Sequence, residues 1–331
     1  MVQAVAPHAA ALLRKARLSA GFLLLGALLG GCAGLLPQTH ALREQPPSGL
    51  PAKAELREVP FHAQEEYHCG PAALAMVLNA AGAGATPEEL VEQVYLPGRK
   101  GSLQIEMLVA ARRNGMVAYE LEPRLADVLL EVAAGTPVVV LENYGFRIWP
   151  KWHYAVVVGY DLEAGEIIRR SGLRPRQTMP FPVFEYVWKD EGYWAMVVVP
   201  PGRLPATATE ARYASAVVAL EKSGQLKNAR VAYDAMLKRW PSSLAGLMGL
   251  GNTAYALKDS AVAEAAFRQA TLEHPGAAAA FNNLAHVLAE RGRLDEALAA
   301  AERAVSLGGP LLPSAQATLD EIRKKAGESA P

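Results

Sequence analysis

A chain of 331 residues with 51% hydrophobic content is long enough for two domains with real cores. Its 33 lysines and arginines balance 33 aspartates and glutamates, so the overall charge gives no sign of a nucleic-acid partner. A basic stretch at Arg169, Arg170, Arg174 and Arg176 reads as a solvated loop. No G-x-x-x-x-G-K-[ST] loop is present, which excludes an attached P-loop nucleotide engine. There is no H-E-x-x-H, and the seven histidines do not cluster at metal spacing, so neither a metal nor another cofactor is expected. His62 and His68 lie six apart in a loop and read as exposed polar residues.

In chain order, Arg14, Lys15 and Arg17 precede an apolar run from Leu18 to Leu29. That run is shorter than the roughly 20 residues a membrane span needs, and it reads as the core of a signal peptide over 1–31. It ends in Leu29-Gly30-Gly31-Cys32, which resembles the bacterial lipobox. The resemblance implies cleavage before Cys32 and lipidation of that cysteine. The chain would then be anchored to a bacterial envelope membrane, expected to be the outer one, and would face the periplasm. The sequence has only two cysteines, so a lipid on Cys32 leaves Cys69 with no disulfide partner. An unpaired thiol in an oxidising compartment reads as a reactive one. Residues 32–57 hold Pro37, Pro46, Pro47 and Pro51 and read as a tether.

A first domain is expected over 58–200. A helix starts at Cys69. Thr86, Pro87 and Glu89 form a capping box for a second helix, and a third runs from Ser102 toward Asn114-Gly115. Strand signals follow at Pro137–Leu141, Tyr154–Val158, Gly165–Arg169 and Trp194–Val199. Helices first and strands later indicate an α+β domain.

Residues 201–209, rich in proline, read as a linker. Beyond them alanine-rich sequence repeats every 34 residues. Ala229, Ala263 and Ala297 keep that interval, as do Tyr213, Leu247 and Phe281. This is the tetratricopeptide period. Three repeats are expected over 210–311, starting near Glu210, Leu244 and Ala278. A capping helix and tail occupy 312–331.

Cys69 sits where a polar loop ends and an apolar helix begins, so the helix dipole is expected to lower its pKa. Downstream, Trp152-His153-Tyr154 leads into a valine-rich strand. A helix-capping cysteine and a strand histidine supply a thiol nucleophile and its base. Gln64, Cys69-Gly70-Pro71-Ala72-Ala73 and His153-Tyr154-Ala155-Val156-Val157-Val158-Gly159-Tyr160 together resemble the papain-like bacteriocin-leader (double-glycine) cysteine peptidases. The likeness covers less than half of the chain. It implies a papain-like α+β peptidase domain followed by an all-α tetratricopeptide repeat domain. It also implies Cys69 as nucleophile, His153 as base, and Gln64 with the Cys69 backbone N–H as oxyanion donors.

The family's aspartate or asparagine after the histidine strand is missing. Ser171 falls near that place, Asn143 is another polar candidate, and Asp161 falls in a turn. The expected function is peptide-bond hydrolysis through a Cys–His thioester at the envelope, with the repeats recruiting a peptide or protein substrate or partner. The alternatives are a catalytically weak, peptidase-like assembly module, and acyl transfer or amidase chemistry with the same Cys–His pair.

Overall fold

The computed structural model describes residues 36–64 and 68–328. Cys32 and the signal-like segment lie outside the described residues. Seven strands form one antiparallel sheet: β1 (Lys53–Glu55), β2 (Val117–Glu120), β3 (Val138–Asn143), β4 (Trp152–Asp161), β5 (Glu166–Ser171), β6 (Arg174–Pro180) and β7 (Ala195–Val199). Their order is β2–β7–β3–β4–β5–β6, and β1 pairs with the far end of β4. There Gly159 lets β1 cross closely, since a side chain would meet the Ala54 carbonyl at 2.7 Å.

Both faces of the sheet are covered. Helices α2 (Cys69–Ala80), α3 (Pro87–Val94) and α4 (Gln104–Arg113) pack on one face over Val139, Val156 and Val158. Helices α1 (Pro37–Glu44), α5 (Leu125–Ala133) and α6 (Phe181–Trp188) cover the other, over Val138, Val140 and Val157. Two-sided burial is why these strands read as unbroken valine runs and not as alternating patterns. The Thr86 capping box forms as the sequence indicates, with reciprocal bonds between Thr86 and Glu89.

Two departures matter. Residues 37–44, read as tether, form α1, with Leu42 in the core. The Gln38 and Thr39 backbone N–H groups donate to Glu185 at 2.9 and 2.6 Å. Proline at the first helical position starts this helix and does not extend the chain. The second correction concerns Arg169 and Arg170, which are not in a solvated loop. Both lie on β5 and are buried; Arg169 is 1% exposed and ion-paired with Glu142, which is 0% exposed. Arg170 donates to the Pro175 and Arg57 carbonyls.

The helical half begins at α7 (Glu210–Lys222) and α8 (Leu226–Arg239) and continues through α9 (Leu244–Ala256), α10 (Ser260–Glu273), α11 (Ala278–Glu290) and α12 (Leu294–Leu307) to α13 (Leu312–Glu328). The first helices of the three repeats start at Glu210, Leu244 and Ala278, as the 34-residue period predicts. The first repeat does not hang from a free linker. Tyr213, Val217, Leu220 and Tyr233 share one core with Val117, Tyr119 and Val199 of the sheet. The segment between is fastened too: the Thr207 backbone N–H and hydroxyl both donate to Glu131 at 2.7 Å, and the Thr209 N–H donates to the Tyr119 hydroxyl at 3.2 Å.

Close approach between repeat helices depends on missing side chains. A Cβ on Gly249 would overlap the Tyr233 ring. Gly249→Ala would add up to about 1 kcal/mol of helix propensity. Overpacking against a buried ring costs about 1–3 kcal/mol. A net loss of stability in urea denaturation is expected, and a variant as stable as the parent would refute this account of the packing.

Candidate active site

The site lies where α2 begins, beside the first residues of β4. Cys69 is the first residue of α2, and no side chain caps that helix. The first N–H groups of a helix have no intrahelical partner. The thiol draws on this: the N–H groups of Gly70, Tyr154 and Cys69 itself point to the sulfur and lower its pKa. Burial outweighs them and pushes the thiol above its ordinary value. The helix start therefore does not yield the lowered pKa expected from the dipole, because the sulfur lies mostly out of water.

His153 faces the same cleft, of about 870 Å³, as Cys69, Gln64 and Tyr154. Its ring Nε2 is 2.8 Å from the Ser171 hydroxyl. Ser171 ends β5, so two neighbouring strands bring histidine and serine together. Burial, with help from the positive charges of Arg169 and Lys151, lowers the His153 pKa to about 4. Among the described residues no hydrogen bond joins the thiol to the ring, and burial of both groups favours a neutral thiol and a neutral imidazole.

Gln64 is buried, and its amide is engaged on both sides. Its nitrogen donates to the Tyr154 carbonyl at 3.0 Å and, with a long bond, to the Cys69 carbonyl at 3.5 Å. Its oxygen accepts from the Gly172 N–H at 2.6 Å. Gln64 thus pins the start of α2 to the end of β5, next to Ser171. Expected as an oxyanion donor, it is at rest a bracket between backbone groups.

The other polar candidates stand elsewhere. Asn143 does not reach His153. It donates to Asp190 and accepts from the Gly145 and Lys151 N–H groups, which shapes the β3–β4 hairpin. Asp161 is at the opposite end of β4, bonded to Lys53 and the Ala164 N–H. His62 bonds Asn79, and His68 stacks edge-on against Tyr95.

Behind His153 the structure holds a group that sequence reasoning missed. Glu142 lies opposite His153 in the β3–β4 register. The buried Arg169 bonds its carboxylate. The Tyr144 hydroxyl donates to the same carboxylate at 2.8 Å, and the Tyr144 ring lies 5.8 Å from that of His153. One signal was present: a carboxylate closing the run Val138-Val139-Val140-Leu141-Glu142 needs a buried partner if the run is a central strand.

Comparison with known proteins gives two family matches. Residues 56–195 match the Peptidase_C39 like family, and residues 215–270 and 248–311 match the tetratricopeptide repeat. Residues 56–195 are a C39-like peptidase domain. A C39-like peptidase from Bacillus anthracis is similar to this chain at 20% identity and a TM-score of 0.38, over 44% of this chain and 97% of that one. The Yersinia enterocolitica type III secretion chaperone SycD, solved with a peptide of the translocator YopD, is also similar. It shows 17% identity and a TM-score of 0.34, over 36% of this chain and 97% of that one. No curated protein matches the chain. The C39-like domain covers the cleft, both strands of the His153–Ser171 pair, and the loop that carries Gln64.

Proposed function

We propose that the chain is a cysteine peptidase anchored at a bacterial envelope membrane through Cys32, with Cys69 as its nucleophile. The observation that carries this reading is the single cleft holding Cys69 at a helix start and His153 with Ser171 on its Nε2. With Nε2 occupied, Nδ1 is the ring atom left for proton transfer. In the first step the Cys69 sulfur attacks the peptide carbonyl carbon while Nδ1 takes the thiol proton. The C–N bond then breaks, and Nδ1 returns the proton to the leaving amine. Water, deprotonated by the same nitrogen, releases the acid from the thioester. The oxyanion receives the Cys69 N–H and the Gln64 amide, which gives up its long bond to the Cys69 carbonyl. The repeats recruit the peptide or protein substrate, a role supported by the stacked-helix surface such arrays present.

Mass spectrometry of products decides between hydrolysis and acyl transfer. Incubation with envelope peptides is expected to give free carboxyl and amino termini. A product carrying the acyl group on an added amine would favour transfer. The pH profile follows from His153. A ring with pKa about 4 is neutral, and able to accept a proton, at every pH above that value. Activity should therefore fall as pH drops through about 4 and not near 6.5.

Ser171→Asp tests the third position. A carboxylate 3 Å or so from the ring raises a histidine pKa by about 1–3 units. The acidic limb of kcat/KM should move up by that amount and kcat should rise by ~10-fold or more. An unmoved acidic limb would show that position 171 does not act on the ring.

A further inference from the structure

The β3–β4 hairpin exposes what a soluble domain usually buries. Phe146, Ile148 and Trp149 are 78%, 77% and 76% exposed, and Leu173 in the neighbouring β5–β6 turn is 74% exposed. The hairpin is nevertheless tightly built. Phe146 and Trp149 exchange backbone bonds at 3.1 and 2.9 Å, the Tyr144 N–H donates to the Lys151 carbonyl at 3.0 Å, and Asn143 ties both sides together. A rigid turn that holds three large apolar groups in water gives up about 1.5–3 kcal/mol per group relative to burial. Within the two turns themselves the charges have one sign, while Asp190 and Glu191 lie at the base of the hairpin. Residues 144–152 and 172–174 contain Arg147, Lys151 and Arg174 and no acid. Apolar side chains with tryptophan, flanked by cations, match the boundary between lipid headgroups and acyl chains.

The described chain also begins at this end of the molecule. The chain enters the fold at Leu36, followed by α1. Gln38 bonds the Pro123 carbonyl at 2.9 Å and the Leu125 N–H. Those residues follow the end of β2, whose last residue, Glu120, faces Met196 at the start of β7. That is the end of the sheet where β3 stops and β4 begins. From Cys32 to Leu36 is four steps, at most about 14 Å at 3.3–3.6 Å per residue. A lipid on Cys32 would therefore hold the bilayer against the end of the sheet that carries the hairpin.

We infer that the Phe146–Trp149 hairpin, with Leu173, seats on the surface of an anionic lipid bilayer and fixes the mouth of the Cys69 cleft beside it. This rests on the reading of Cys32 as a lipid anchor. The substrates that reach Cys69 would then be peptide segments lying at the membrane surface. Pro150, Lys151 and Trp152 of the same hairpin line the cleft, so seating one side of the turn also sets the other.

The test uses the full lipidated chain in vesicles of brominated phosphatidylcholine with phosphatidylglycerol. Tryptophan emission of the wild type should be quenched relative to unbrominated vesicles. Trp149→Ala should lose that quenching. Ile148→Asp, which keeps every tryptophan, should lose it too, with circular dichroism unchanged in both. Quenching that is absent, or equal in wild type and variants, overturns the inference; a raised KM for peptides in those variants would then assign the hairpin to the substrate. Radiolabelled palmitate separates the two readings. Label that depends on Cys32 together with no quenching leaves the anchor standing and removes the hairpin's role. No label removes the anchor, and the inference with it.

Discussion

Under the proposed function, Cys69→Ala is expected to fold as the parent does and to lose hydrolysis, with kcat down by ~10⁵–10⁶-fold, the scale on which loss of the nucleophile acts in a serine peptidase. The side chain is small, and Cys69 is the first residue of α2, a helix whose Ala73 and Ala75 already pack in the core. Cys69→Ser should be almost as inactive. A hydroxyl is a poorer nucleophile than a thiol, and a base with pKa about 4 is too weak to activate it. The thiol itself carries a further expectation. Burial raises its pKa, so alkylation by iodoacetamide should be slow at neutral pH and should still be accelerating above pH 9, the ordinary value. A rate that levels off below pH 8 would show a thiolate already formed at rest. Such a result would contradict the neutral pair and favour the ion pair that a helix-start cysteine suggests. Hydrolysis by the Cys69→Ala variant at the wild-type rate would end the peptidase reading.

The second large effect is expected at the buried pair behind His153. Glu142 is 0% and Arg169 1% exposed, and Glu142 Oε1 and Arg169 Nε have no partner among the described residues. Burial raises the Glu142 pKa, while Arg169 and the Tyr144 hydroxyl pull it down. Removing either charge leaves the other in the core. Glu142→Leu or Arg169→Met alone should cost about 3–5 kcal/mol in denaturant unfolding. The double variant should come within about 1 kcal/mol of the parent or exceed it, since an apolar pair avoids desolvating two ions. Additive losses in the double variant would mean that the two groups do not stabilise each other. Activity offers a separate reading. Arg169 is one of the charges that lowers the His153 pKa. The double variant should therefore move the acidic limb of the pH profile upward from about 4, even where stability is restored. Burial first, and then the Arg169 charge, favour the neutral ring that a general base needs and would oppose an imidazolium formed in the proposed reaction.

Much of this architecture could be read from residue spacing. The 34-residue interval located the start of each repeat, because a stacked array repeats its alanines and aromatics in register. Thr86, Pro87 and Glu89 marked a helix start through local hydrogen bonding that needs no tertiary context. Cys69, His153 and Gln64 could be picked out by motif as candidates, and Ser171 by falling near the place where the motif residue is missing. What each does at rest could not, since it depends on burial and on neighbours distant in sequence. The raised thiol pKa comes from the cleft, and the engagement of Gln64 comes from Gly172, 108 residues away. Helix α1 was hidden because its stabilising partners, Glu185 and Pro123, lie far along the chain. Strand β6 was hidden for another reason. Arg174-Pro175-Arg176 is mostly exposed at the edge of the sheet, where charge and proline are tolerated and the apolar signal disappears.

The core shared by the sheet and the first repeat has a consequence for how the molecule divides. The first family match ends at 195 and the second begins at 215, and a cut at either boundary divides the one core in which Tyr119 and Val199 pack with Val217 and Leu220. A fragment stopped at residue 200 would carry an apolar wound along β2 and β7. One begun at 210 would carry the matching wound on α7. The buried core shared with the sheet runs on through the whole first repeat, to Met236 of α8. What looks in sequence like a peptidase-like domain followed by a repeat array is, as a solid object, a sheet domain whose last structural layer is the array's first repeat.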